Sequence, residues 1–244
     1  MTRRVAFLAG LAGLIALWAL AAHEALPAIL PGPRAVATAL WLLVTERNFW
    51  VDTLLPSLGR AAAGLLLAFA IGAPLGLIGW RWPVVSALLA PLRLILMGIP
   101  APILAILCIL WFDGGSVTVV LTVATMLLPV FQIAIAEGMG AVDPQLAEMA
   151  KVFRVPLRRR TRRIILPAVW TALGPALRTS VANSLRVTLL TELLSGTDGL
   201  GAAVQSAQSW LQTDRLFALV IVILCLIGLI EAALGAHARG RAKP

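Results

Sequence analysis

The 244-residue sequence has no tyrosine, two histidines and only two lysines, Lys151 and Lys243. Each scarcity excludes a chemistry. A Gly-x-x-x-x-Gly-Lys-Ser/Thr loop needs a lysine in a glycine-rich turn, and neither lysine has that setting, so the chain cannot hold ATP in that way. His23 and His237 have no carboxylate or cysteine at ligand spacing. The two cysteines, Cys108 and Cys225, sit singly in apolar runs and read as small packing residues rather than a disulfide framework. No serine-centred elbow or paired-carboxylate arrangement stands out. Charge is also scarce: 13% of residues, against about 25% in a soluble domain.

What is present is apolar. Hydrophobic residues make up 60% of the chain and the mean hydropathy is +0.96. Most of the surface therefore faces something other than water, and the bilayer is the evident solvent. A spanning helix needs about 20 apolar residues, so the length allows about six spans. The expected fold is an all-α polytopic membrane protein with about six transmembrane helices, a single transmembrane domain over 1–244. The first span is expected over 5–26, spans two to four within 54–137 (54–79, 84–111 and 117–137), and spans five and six within 164–235 (165–195 and 215–235). A signal peptide is the competing reading of the start. The run from Val5 to Ala22 is longer than a signal's apolar region and more spans follow, so it reads as a retained helix. Residues 34–50 read as a short interfacial helix with Trp41 and Trp50 at headgroup level. Pro91 and Pro100-Ala101-Pro102 interrupt the third span.

Six spans place both termini on one side. Arg3, Arg4, Arg81, the basic residues of 151–163, Arg239, Arg241 and Lys243 then share that side. By the positive-inside rule it is the cytoplasmic one. The same rule accounts for the net charge of +9 without nucleic acid. Arg60, Arg178, Asn183, Arg186 and Glu192 are the polar residues expected at membrane depth, where they must pair or face the bundle interior. Arg178, Ala182 and Arg186 share one helix face by their i, i+4, i+8 spacing. Two roles fit this set: a brace between helices, or a positive path for a small anion.

Seven of the twenty basic residues lie in 151–163, within the stretch AEMAKVFRVPLRRRTRRIILP at 147–167. Asp143 and Pro144 predict a capped helix running to about Phe153, and Pro156 opens a second helix that runs into the fifth span. Met149, Val152, Phe153, Val155 and Leu157 give the segment an apolar side. The arginines would attract anionic lipid by about 1 kcal/mol each. Lipid attraction alone does not need the apolar side. No aromatic platform supports nucleic-acid binding. A docking surface for a partner protein explains both features.

Glu148-Met149-Ala150, then sixteen residues, then Pro167 at the end of Ile164-Ile165-Leu166-Pro167, resembles the EAA loop of ATP-binding-cassette (ABC) importer permeases. Met149 replaces an alanine of that pattern and Arg154 stands where its glycine is expected; Pro156 is an alternative source of the turn. Further segments resemble the nitrate/sulfonate/taurine/bicarbonate branch of these permeases. They are Leu30-Pro31-Gly32-Pro33, Ser57-Leu58-Gly59-Arg60 with Gly64, Leu110-Trp111-Phe112 with Gly114, and Glu192 with Gly199-Leu200-Gly201. The resemblance covers roughly 29–235.

It implies a type I ABC importer permease fold and a non-catalytic transport subunit in a bacterial inner membrane. The implied partners are a second permease subunit in a homodimer, an ABC ATPase dimer that carries the ATP and Mg, and an extracytoplasmic solute-binding protein. Residues 138–163 would form the cytoplasmic coupling loop, with Glu148, Met149, Ala150, Phe153, Arg154, Pro156 and Pro167 as its key positions. Arg60 and Arg178 match family positions and Arg186 does not. An ion-coupled carrier or a membrane-embedded enzyme would be the alternatives; no internal repeat or catalytic constellation supports either.

Overall fold

The computed structural model describes residues 2–26, 28–196 and 198–241. The helices are α1 (Thr2–Glu24), α2 (Pro33–Thr45), α3 (Leu55–Arg81), α4 (Pro83–Gly98), α5 (Ala101–Phe112), α6 (Gly115–Gly140), α7 (Pro144–Val152), α8 (Leu157–Arg160), α9 (Leu166–Ser195), α10 (Leu200–Ser209) and α11 (Thr213–Arg241). Wider π-type turns at Phe49–Leu54 and Thr161–Ile165 lead without a break into α3 and α9. The side chains of Arg3, Arg4, His237, Arg239 and Arg241, and all of Lys243, lie outside the described residues.

Among the described residues, five stretches are long and apolar enough to cross a membrane: Val5–Glu24, Phe49–Arg81, Gly115–Gly140, Leu157–Ser195 and Thr213–Gly235. The expected third span is two helices, α4 and α5, bent by 103° at the expected Pro100-Ala101-Pro102 interruption. Proline chemistry places the bend. Pro100 has no N–H to continue the helix and forces Ile99 out of the helical region, to φ −75°, ψ 123°. Pro91, expected to interrupt this span, lies inside α4 and does not end it. The interfacial helix is shorter than the expected 34–50. Trp50 belongs to the turn that opens α3, and its indole donates back to the Val44 carbonyl at 2.8 Å.

In lipid there is little hydrophobic drive between helices, so close packing decides which ones associate. Gly64, Ala68, Gly72 and Gly76 recur every four residues along α3 and are all buried against α6. A Cβ added to Gly64 would sit 2.6 Å from Val123, and one on Gly72 2.6 Å from the Leu128 carbonyl. Contacts on the two helices advance together, from Gly64 at Val123, to Gly72 at Phe131, to Gly76 at Ile135, so α3 and α6 run parallel. The α4–α5 pair must therefore carry the chain back across between them. Helix α9 runs the opposite way: its start packs against the end of α6, Val169 on Gly138, and its end reaches the start of α3.

Two cores result. Ala68, Val123, Leu127, Phe131, Val169 and Leu173 form one inside the α3–α6–α9 trio. Leu43, Phe49, Leu54, Leu200, Ala207 and Leu219 form the other where α2, α10 and the starts of α3 and α11 meet.

Candidate functional site

Helix α7 starts where the sequence places it. Asp143 accepts from the Gln145 N–H at 2.8 Å, and Pro144 follows at the first helical position. Its end answers what Arg154 does in a glycine's place. The Arg154 N–H donates to the Lys151 carbonyl (3.0 Å) and the Val155 N–H to the Ala150 carbonyl (2.9 Å), the paired bonds of a Schellman turn. Arg154 takes the left-handed conformation at φ 48°, so an arginine adopts the geometry a glycine would. Pro156 caps α8 rather than making the turn. Ala150 is buried within the chain, whereas Glu148, Met149 and Arg154 are exposed. Phe153 and Leu157 are 74% and 78% exposed, an apolar edge that leads into the arginines of 158–163. Pro167 lies in the first turn of α9.

Arg60 and Glu192, singled out as residues at membrane depth, are brought together. Glu192 is fully buried and accepts from Arg60 Nη1 at 2.8 Å, Ser57 Oγ at 2.7 Å and the Gly201 N–H at 3.1 Å. Arg60, 7% exposed, also donates from Nε to Ser116 Oγ at 2.9 Å. Its remaining contacts are to the Asp198 carbonyl at 3.1 Å and the Asp198 carboxylate. The Leu200 N–H donates to Ser57 at 2.8 Å. Every donor and acceptor that burial would penalise is thus matched, and one guanidinium ties α3, the start of α6, the end of α9 and the turn before α10. The glycines beside it are required by space. Gly199 has φ +97°, and a Cβ there or on Gly201 would run into Glu192.

The other polar residues do not join this network. Arg178, Asn183 and Arg186 lie exposed along α9, and Arg186 Nη2 donates to Glu231 Oε1 of α11 at 3.2 Å. These residues line a groove of about 270 Å³ between α9 and α11.

The fold and these sites set the comparisons with known proteins in context. The model of the family described as the inner membrane component of binding-protein-dependent transport systems matches residues 64–243. The chain belongs to that family. The match runs from the small-residue face of α3 through α7 and Glu192. The chain is similar to the taurine transport system permease protein TauC of Escherichia coli, 28% identical over 218 residues, covering 87% of this chain and 79% of that protein. It is similar to the aliphatic sulfonates permease SsuC of Bacillus subtilis, 27% identical over 201 residues, covering 82% and 72%. Among solved structures, an inward-facing MetNI methionine ABC transporter chain aligns with a TM-score of 0.64 at 16% identity, over 81% of this chain and 99% of that one. The chain is an ABC importer permease subunit with the type I fold.

In this permease, sequence reasoning missed the partners more than the principals. Ser57 stands within the quoted Ser-Leu-Gly-Arg segment but carried no role, and Asp198 reads as one more acid near a span end. Glu231 lies deep in the last span, unlike Asp214 at its start, and that position was its one available signal.

Proposed function

We propose that two copies of this permease line a translocation path for a small organic or inorganic anion, such as a sulfonate, nitrate or bicarbonate. The solute is delivered by an extracytoplasmic solute-binding protein. An ABC ATPase dimer holding ATP and Mg drives the cycle. The observation that carries the solute class is the exposed row of Arg178, Asn183 and Arg186 on one face of a spanning helix. Charges within a span face protein or a water-filled cavity, not lipid tails. The names of the taurine and sulfonate relatives point to the same chemistry.

The ATPase docks on 138–163 in this reading. The exposed Phe153 and Leu157 supply an apolar anchor, and the neighbouring arginines meet acidic groups of the ATPase or lipid headgroups. Both termini are then cytoplasmic in a bacterial inner membrane; the stacking of Trp18, near the end of α1, on Phe217, near the start of α11, supports termini on one side. The buried Arg60–Glu192 network serves as the brace rather than the path.

The test is co-purification with the ATPase encoded alongside, followed by uptake in proteoliposomes. Phe153→Asp alters an exposed side chain and leaves the turn intact, whereas Ala150→Asp would also disturb buried structure. Phe153→Asp is expected to leave insertion and folding unchanged and to reduce ATP-driven uptake at least tenfold. Uptake at wild-type rates would refute docking through this edge.

A further inference from the structure

The Arg186–Glu231 pair is 54% exposed at both ends, yet both residues lie inside spans. Arg186 is nine residues before the end of α9 at Ser195, about 13 Å along a helix rising 1.5 Å per residue, which is near mid-bilayer. Glu231 lies within the apolar stretch Thr213–Gly235. A half-exposed charge at such depth has to face water or another chain. The groove beside the pair holds Arg178, Thr179, Asn183, Arg186 and Glu231, with the buried Ala182 as its floor. Asn183 Oδ1 accepts from Arg186 Nη1 at 3.1 Å and orients the guanidinium. Arg178 carries a second positive charge two turns nearer the start of α9 and forms no ion pair with a carboxylate among the described residues.

A guanidinium presents a planar fork of donors that fits the oxygens of a sulfonate, nitrate or carboxylate two at a time. An arginine with nothing to compete for it would hold such a group and slow its release. Glu231 supplies the competitor, with its oxygen already at hydrogen-bond distance from the same guanidinium.

We propose that Arg186 binds the oxyanion group of the solute in transit, and that Glu231 is its built-in counter-ion, occupying Arg186 in the empty path and displacing the solute as it leaves. This rests on the reading of the chain as an anion importer. It adds the residue that recognises charge and the residue that sets release.

The experiment uses the complex of permease, ATPase and solute-binding protein in proteoliposomes, with labelled taurine, ethanesulfonate and nitrate as probes. Binding of labelled ethanesulfonate is also measured to the permease–ATPase complex in nanodiscs without the solute-binding protein. Replacing a whole ion pair by apolar residues is often neutral for stability. Arg186→Met combined with Glu231→Met is therefore expected to assemble and hydrolyse ATP within twofold of wild type while uptake falls at least tenfold. Glu231→Gln is expected to bind ethanesulfonate at least threefold more tightly and to lower the maximal uptake rate. Uptake within twofold of wild type in the double variant would make the pair a brace and overturn the proposal. If the double variant does not assemble, unchanged binding and uptake in Glu231→Gln would overturn it equally. A wild-type complex that moves none of the three probes would sink the anion-importer reading and this assignment with it.

Discussion

Glu192→Ala removes the acceptor at the centre of the buried network and nothing else of that size. The carboxylate is fully buried and takes hydrogen bonds from Ser57, Arg60 and the Gly201 N–H. Truncating one partner of a buried ion pair costs about 3–5 kcal/mol, because the other charge remains in a place built for a neutral pair. Arg60 keeps Asp198 and Ser116, so the expected cost lies near the lower end of that range, about 3 kcal/mol. For a chain of this size each kcal/mol shifts the unfolding midpoint by roughly 2–4 °C, which gives a fall of about 6–12 °C.

Cys108 supplies the assay. Its thiol is buried and Cys225 is exposed, so in a Cys225→Ser background a thiol-reactive dye reports unfolding of the purified permease as temperature rises. The double variant Arg60→Met, Glu192→Met leaves no buried charge without a partner, since Asp198 is half-exposed, and should recover at least half of the loss. A Glu192→Ala midpoint within 2 °C of the parent would refute the argument that this network holds the ends of α3 and α9 together.

Four further outcomes follow from the geometry. Arg154→Gly removes a side chain from a left-handed position that costs a non-glycine residue about 1–2 kcal/mol. Part of that gain is offset by glycine's larger loss of backbone freedom. The same dye assay should show a rise of about 1–3 °C with unchanged uptake; a fall would contradict the Schellman turn. Gly76→Leu drives a side chain into the Gln132 backbone and should abolish folded, membrane-inserted permease on size-exclusion chromatography. Gly59→Ala meets nothing within 4 Å and should behave as wild type. Asp143→Ala removes the α7 cap and should cost about 1 kcal/mol, detected as faster amide exchange over the first turn of α7.

The spans were legible because lipid imposes a strong and simple rule on composition, and α6, α9 and α11 lie close to their expected bounds. Which helix the small-residue face of α3 meets is a tertiary fact that its four-residue spacing does not carry. Helix α10 was not legible: GAAVQSAQS is small and polar, and its helicity depends on burial of Leu200 and Ala207 against α9, α11 and the Phe49–Leu54 turn. The bend at Pro100 was half legible, since Pro91 and Pro100 look alike in sequence and only Pro100 follows an extended residue. Arg60 and Glu192 stood out as polar residues in apolar surroundings. Their joining at 2.8 Å across 132 positions, and the enlistment of Asp198, depend on α3 and α9 running in opposite directions. Arg154 shows the limit most clearly, because a propensity rule argues for glycine while two backbone hydrogen bonds hold the arginine in the same conformation.

The interlocked face between α3 and α6 makes the pair behave as a beam. Helix α6 has 26 residues, about 39 Å at 1.5 Å per residue, and only Ala141, Val142 and Asp143 separate it from α7. With Gly64, Gly72 and Gly76 leaving no room to slide, a push on α7 in the proposed coupling would tilt α3 and α6 together instead of shearing one past the other. A tilt of about 10° at that end would sweep the opposite end by about 7 Å. The Ser116–Arg60 bond sits at that far end, so in such a tilt the Arg60 network would travel farthest.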